Sequence, residues 1–350
     1  MIWTIVFAVI CFSLIIFVHE LGHFLAARFF KVKVHEFALG MGPKIFSKKH
    51  GDTVYSVRAV PLGGFCSMEG EDSASDEEGS FSTKPRYARF VILAAGATMN
   101  ILLGFLVCII YIWVAFGSAG IATTTVDSVL AESDLADFLQ PGDEIIKIND
   151  QKVNIKRDID FAMQQTMGEK SSITVRRGQE KLSREFLPYE TKYSDGTLAF
   201  AIGVMTRTEK ANFFNVIREA FFQTVWSGKL VFVSLGMLIG GKAGLSDMSG
   251  PVGVVGVMNE AAQQGGLLGI INLLYLMSFI SVNIGIMNLL PIPALDGGRL
   301  FFVVVEAIRR KPIPAEKEGV VHFIGLIFLL ALMVFVTWND ILRLISGYGA

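Results

Sequence analysis

Hydrophobic and polar positions fall along this chain in long blocks, with little of the short alternation of a water-soluble fold. Apolar runs at 2–27, 90–116 and 320–338 reach the roughly 20 residues that a helix needs to cross a bilayer core of ~30 Å. A fourth run, 267–290, is long enough despite Asn272, Asn283 and Asn288. A fifth stretch, Val225 to Gly240, is interrupted by Lys229, so 212–240 reads as an amphipathic segment lying on or dipping into the outer surface. The pattern predicts a polytopic α-helical membrane protein with about four transmembrane helices.

Basic residues set the orientation. Arg28, Lys31, Lys33, Lys44, Lys48 and Lys49 follow the first run, and Lys84, Arg86 and Arg89 precede the second. Arg309, Arg310, Lys311 and Lys317 lie between the last two runs. With these loops in the cytoplasm, both termini and residues 117 to 265 are extracytoplasmic, provided Val225 to Gly240 does not cross.

The segments between the runs carry different patterns. Thr53 to Phe65 alternates, with Val54, Ser56 and Arg58 set against Tyr55 and Val57, and ends in Pro61 and Gly63-Gly64. That predicts a cytoplasmic-side, membrane-associated β element over about 52–70. It is either a loop with strand propensity or an edge strand able to pair with an unwound substrate. Glu69 to Glu78 reads as a solvated acidic loop. Residues 121–190 alone have the composition of a soluble domain. Their pattern is a strand from Val126, a helix over Ser133 to Leu139, a turn at Pro141-Gly142-Asp143 and a strand over 144–149. A turn at Asn149-Asp150, a helix over 158–167 and a strand over 172–176 complete it. Ser249 to Val254 is small and helix-breaking, with a short helix after it to Gln264. The chain thus divides into 1–120, 121–190, 191–265 and 266–350.

Composition agrees. Apolar residues make up 52% of the chain, while 31 basic and 32 acidic residues nearly cancel and give no footprint for nucleic acid. Cys11, Cys66 and Cys108 make no disulfide framework. The N-terminus lacks the basic start and small-residue cleavage site of a secretory signal.

Chemistry enters with His19-Glu20-Leu21-Gly22-His23, inside the first apolar run. Ionisable groups are costly in a bilayer, so their default reading there is functional. On a helix His19 and His23 share a face, which suits two imidazoles on one zinc ion, and Glu20 projects nearby as a base. A third ligand is required, because catalytic zinc takes three protein ligands. Asp296 answers: it follows Pro291 and Pro293, precedes Gly297-Gly298, and falls at the same depth as the histidines. Two other readings use the same residues, an ion or proton relay of a transporter and an inactive adaptor that holds membrane helices.

The two motifs, His19 to His23 and Asn288-Leu289-Leu290-Pro291-Ile292-Pro293-Ala294-Leu295-Asp296-Gly297-Gly298, resemble the site-2 protease family of intramembrane metalloproteases. The likeness is to its bacterial branch, which cleaves membrane-bound anti-sigma factors and remnant signal peptides. It covers nearly the whole chain. The Pro-Gly-Asp-Glu-Ile-Ile-Lys-Ile-Asn-Asp segment at 141–150 resembles a PDZ domain, one of which is typical after the second span. Ala97 stands where the family often has Pro.

The resemblance implies one Zn2+ held by His19, His23 and Asp296, with Glu20 taking a proton from water and passing it to the leaving amine. It implies substrate contact by Asn288 and by the β element, for which Tyr55, Val57, Gly63 and Gly64 are the candidates. It implies single-span membrane proteins as substrates, in a lipid setting, after an upstream protease has trimmed them. The location implied is the bacterial cytoplasmic membrane, with the PDZ-like domain extracytoplasmic and the zinc towards the cytoplasm.

Overall fold

In the computed structural model, which describes residues 2–71, 75–192, 198–244, 246 and 248–346, the apolar runs become long helices. These are α1 (Ile2–Phe29), α2 (Arg86–Phe116), α4 (Phe213–Ile239), α6 (Gly266–Leu289) and α8 (Ala315–Ser346); shorter ones are α3 (Lys156–Thr166), α5 (Pro251–Gln263) and α7 (Asp296–Arg309). Among the described residues, five helices are long and apolar enough to cross a membrane, one more than the four expected. The additional one is α4. Lys229 interrupts its hydropathy but not its helix, since lysine is a good helix former. Of the acidic run at 69–78, residues 72–74 lie outside the described residues.

The chain forms two compact units, 1–108 with 227–350, and 109–226. In the first, small residues let helices approach closely, as apolar surroundings favour. A side chain on Gly22 of α1 would begin 2.4 Å from the Ala95 carbonyl oxygen of α2, and one on Gly285 of α6 would begin 2.8 Å from that of Ala97. The Ser278 and Ser281 hydroxyls of α6 donate to the α2 carbonyls of Gly104 and Asn100, at 2.7 and 2.8 Å. The second half of α4 runs beside α6, with the Ile286 side chain 3.5 Å from where one on Gly228 would begin. Buried Asp340 of α8 caps α5, accepting from the amides of Gly250 and Gly253 at 3.2 and 2.8 Å. Phe323, Ile324, Phe328 and Val334 of α8 are left exposed, as a lipid-facing span requires.

The predicted β element is present and larger than its alternating tract. Strand β1 (Val34–His50) pairs antiparallel with β2 (Thr53–Met68), and the ladder folds back on itself. Phe37 lies opposite both Tyr55 and Cys66, and Leu39 opposite both Val57 and Gly64. Residues 34–39 are therefore flanked by 53–57 and 64–68, while 44–50 covers the far side of 53–57. The bend at Gly63 has φ +102, and a side chain there would strike Met41 at 2.8 Å. Glu36 pins the bend, accepting from Ser56, Arg58 and Lys44 at 2.6, 2.8 and 3.0 Å. Burial alone would raise the Glu36 carboxyl, but these donors outweigh it and hold its pKa at about 2.

The second unit is built on an antiparallel sheet in the order β10-β3-β4-β6-β7, with β5 (Gln151–Lys152) paired to β4. The strands are β3 (Ile121–Val129), β4 (Glu144–Ile148), β6 (Ser171–Arg177), β7 (Glu180–Phe186) and β10 (Val204–Glu209). A separate pair joins β8 (Tyr189–Lys192) to β9 (Leu198–Ala201). The sheet thus runs beyond residue 190. Helix α3 covers it, burying Ile159 and Met163 against Val126, Ile145, Ile173 and Phe186. The helix expected over Ser133 to Leu139 is instead a series of turns, with bonds such as Ala136 N to Ser133 O and Phe138 N to Leu135 O. The Ser133 hydroxyl accepts from the Leu135 amide and donates to the Ile202 carbonyl, which breaks up a helical ladder.

Asp143 ties this sheet together. It is 1% exposed and accepts two bonds of 2.7 Å from Arg177. Those bonds hold its carboxyl below the usual range. Asp143→Ala should cost about 2 kcal/mol, the scale of a charged hydrogen bond. Protease cutting of this unit in the intact protein should then rise ~30-fold where opening is fast relative to cleavage. A depressed folded pKa stabilises fully above the unfolded value of ~3.9 and loses that contribution as pH falls through and below it. Wild type and variant should therefore converge in acid.

Candidate active site

His19 and His23 lie one turn apart on the side of α1 that faces α2. Their seat is made by what α2 lacks. A side chain on Gly96 would begin 2.3 Å from His23 Nε2, so only glycine leaves room for the imidazole. Behind it, His23 Nδ1 donates to the Ile92 carbonyl at 2.9 Å, which leaves the Nε2 lone pair facing inward.

Asp296 comes from the opposite side. Helix α6 ends at Leu289, the prolines keep 290–295 irregular, and Asp296 opens α7, where a carboxylate suits the helix dipole. Its Oδ2 stands 3.0 Å from His19 Nε2 and 3.2 Å from His23 Nε2, and the two Nε2 atoms are 3.2 Å apart. Three donors on a tetrahedral zinc ion with bonds of ~2.0 Å stand about 3.3 Å from one another. The set fits the metal in spacing and in chemistry, two imidazoles and one carboxylate with room for a fourth position.

Asn100 was not singled out by the sequence. It is fully buried on α2, and its amide lies 3.2 Å from His19 Nδ1. With its Oδ1 turned to the imidazole, the amide accepts from Nδ1–H. In that orientation the amide holds His19 Nδ1–H and leaves Nε2 for a metal. The signal was available: an asparagine inside an apolar span is itself conspicuous.

Glu20 lines the same cavity, which has a volume of about 540 Å³ and is also bordered by Phe65 to Met68, Arg299 and His322. Cys66 of β2 lines the cavity with Glu20. Of the β residues expected to meet substrate, Gly64 is beside the site, where an added side chain would begin 3.3 Å from Glu20 Cγ. Gly63 forms the bend before it. Tyr55 and Val57 lie inside the folded ladder, paired on both sides, and Tyr55 packs on Phe24 and Phe37. The part of β2 at the cavity is therefore 64–68. Asn288 sits half-buried at the last turn of α6 and does not border the cavity. Arg299 donates to Glu71 at 2.6 Å, tying α7 to the turn after β2.

Residues 7–332 match the profile described as peptidase family M50. A Clostridium acetobutylicum relative with a zinc-metalloprotease name is 37% identical over 342 residues, covering 97% of each chain. The regulator of sigma-W protease RasP of Bacillus subtilis is 31% identical over 425 aligned positions, covering 97% of this chain and 99% of its own. The zinc metalloprotease RasP of Geobacillus kaustophilus is 32% identical over 419 positions, covering 97% of both. A solved PDZ domain from a Listeria monocytogenes SdrC-like protein aligns with 24% of this chain and 87% of its own, at 19% identity and a TM-score of 0.21, a likeness too slight to use.

Asn100→Leu keeps the volume and removes the amide. Zinc affinity, measured by chelator competition, should fall ~10- to 100-fold, the usual cost of losing a partner that orients a ligand.

Proposed function

The chain belongs to peptidase family M50, and from that premise we propose that His19, His23 and Asp296 hold its zinc while Glu20 is the proton-transferring base. It is a zinc metallopeptidase of multi-pass membrane type. The observation that carries the residue assignment is the convergence of three ligand atoms, each within 4.8 Å of the others, from helices far apart in sequence.

Zinc bound there would supply Lewis acidity and bring the pKa of water down towards ~7. Glu20, reaching the same cavity, would take a proton from the attacking water and return it to the leaving amine. His19 and His23 keep their Nδ1 protons on Asn100 and on the Ile92 carbonyl, so neither competes as a base. The substrate is a transmembrane segment of another membrane protein, of the anti-sigma-factor or remnant-signal-peptide type. The sigma-W name of the Bacillus relative favours the former. Such a helix hides its carbonyls and must unwind before attack. The 64–68 stretch suits an extended segment: among the described residues no strand pairs with its other edge, and it lies against Glu20. Asn288, one turn from the prolines, would contact the substrate flank.

The sheet and helix at 121–209 support a PDZ-like domain, here extracytoplasmic, which would exclude substrates until an upstream protease removes their bulk. For α4, we favour entry without a full crossing. After it, Gly250 meets Asp340 near the C-terminal end of α8, and Asn259 meets Thr4 at the start of α1 with a 3.1 Å bond. That return keeps both termini outside and the basic loops, with the zinc end of α1, towards the cytoplasm.

Glu20→Gln should retain zinc while cleavage of a reporter membrane helix in proteoliposomes falls at least ~10²-fold. Unaltered cleavage would sink the assignment. Asp296→Ala should lose the zinc itself; an ion relay would need no stoichiometric zinc in wild type.

A further inference from the structure

The loop that delivers Asp296 is held from a helix that supplies no ligand. Ala294, two residues before the carboxylate, has φ +74, a left-handed conformation that alanine adopts only when its surroundings demand it. Its amide donates to His322 Nδ1 of α8 at 3.0 Å. The imidazole also lies against the start of α7, its Cε1 3.1 Å from where a side chain on Gly298 would begin, and its ring centroid 5.9 Å from that of Phe302. One turn along, Gly325 lets α8 touch the loop directly, since a side chain there would begin 2.4 Å from Pro293 Cβ. Loop and ligand helix are thus clamped between two points on α8.

Resting on the zinc reading above, we propose that His322 is a positioning residue: its Nδ1 lone pair captures the Ala294 amide, locks the left-handed turn and so sets where the Asp296 carboxylate stands. The tautomer excludes a simpler role. With Nδ1 accepting, the proton is on Nε2, which faces Glu318 Oε1 at 4.0 Å, so His322 does not serve as a further metal ligand although it borders the cavity. The bond also matters in its own right, because an amide stranded in an apolar layer has no water to turn to.

The test compares two side chains of near-equal size in the full-length protein. His322→Asn places an amide oxygen where Nδ1 was; His322→Leu packs equally well in an apolar helix but accepts nothing. By chelator competition, His322→Leu should bind zinc ~10- to 100-fold more weakly than wild type, and His322→Asn should recover most of the loss. The visible spectrum of the cobalt-substituted protein should shift in His322→Leu and return towards wild type in His322→Asn. Equal zinc affinity in wild type and His322→Leu would overturn the proposal, as would equal weakening in both variants, which would mark a packing role alone. A wild-type protein that binds no zinc would overturn the parent assignment and this one with it.

Discussion

Two imidazoles can face one carboxylate inside an apolar layer only if each has a polar partner behind it. That constraint shapes the first unit. Helix α2 meets it with a backbone carbonyl at Ile92 and a side chain at Asn100, and it gives up a side chain at Gly96 to let the ring approach. Without those partners the Nδ1 protons would be stranded, and the rings could turn their protonated nitrogens towards Asp296. Close packing of α1, α2 and α6 through Gly22 and Gly285 holds the partners at that distance. The convergence of His19, His23 and Asp296 is therefore a property of helix packing as much as of those residues themselves.

The same economy governs Asp296. A straight helix could not bring Asp296 back towards α1, so the chain is broken by Pro291 and Pro293 and restarted with the carboxylate in the first turn. Irregular backbone at membrane depth survives only when protein covers it and satisfies it. Here the cover is α8, most of whose surface is apolar and exposed, with His322 as its polar insertion. A span that looks like a passive lipid-facing helix thus doubles as the support of the ligand loop.

What could be read from the sequence followed a clear physical line. Apolar length and ionisable residues out of place are local signals, so the spans and the pairing of His19, Glu20 and His23 with Asp296 were legible. Helix α4 has the length and apolarity of a span, which the sequence hides because hydropathy counts Lys229 against it while the helix itself tolerates it. Residues 34–50 were read only for their lysines, because a strand whose partners lie on two sides of a bend shows no simple alternation. For the same reason the edge at the cavity proved to be 64–68, whereas Tyr55 and Val57, which carry the alternation, are paired on both flanks. Asn100 and His322 are conspicuous as polar residues in apolar runs, but the distant groups they meet are not written in their neighbours.

The edge at 64–68 has one more consequence for catalysis. Cys66, on the stretch proposed to take up an extended substrate, lines the cavity with Glu20, and Gly64 lies against it. Strand addition works through such edge amides and carbonyls. A substrate segment that aligned there would lie beside the Glu20 carboxylate, so that extending the peptide and presenting it to the proposed base would be one event. A helix that has not unwound offers no free backbone to this edge. Selectivity for locally unstable helices would then begin at the sheet edge itself.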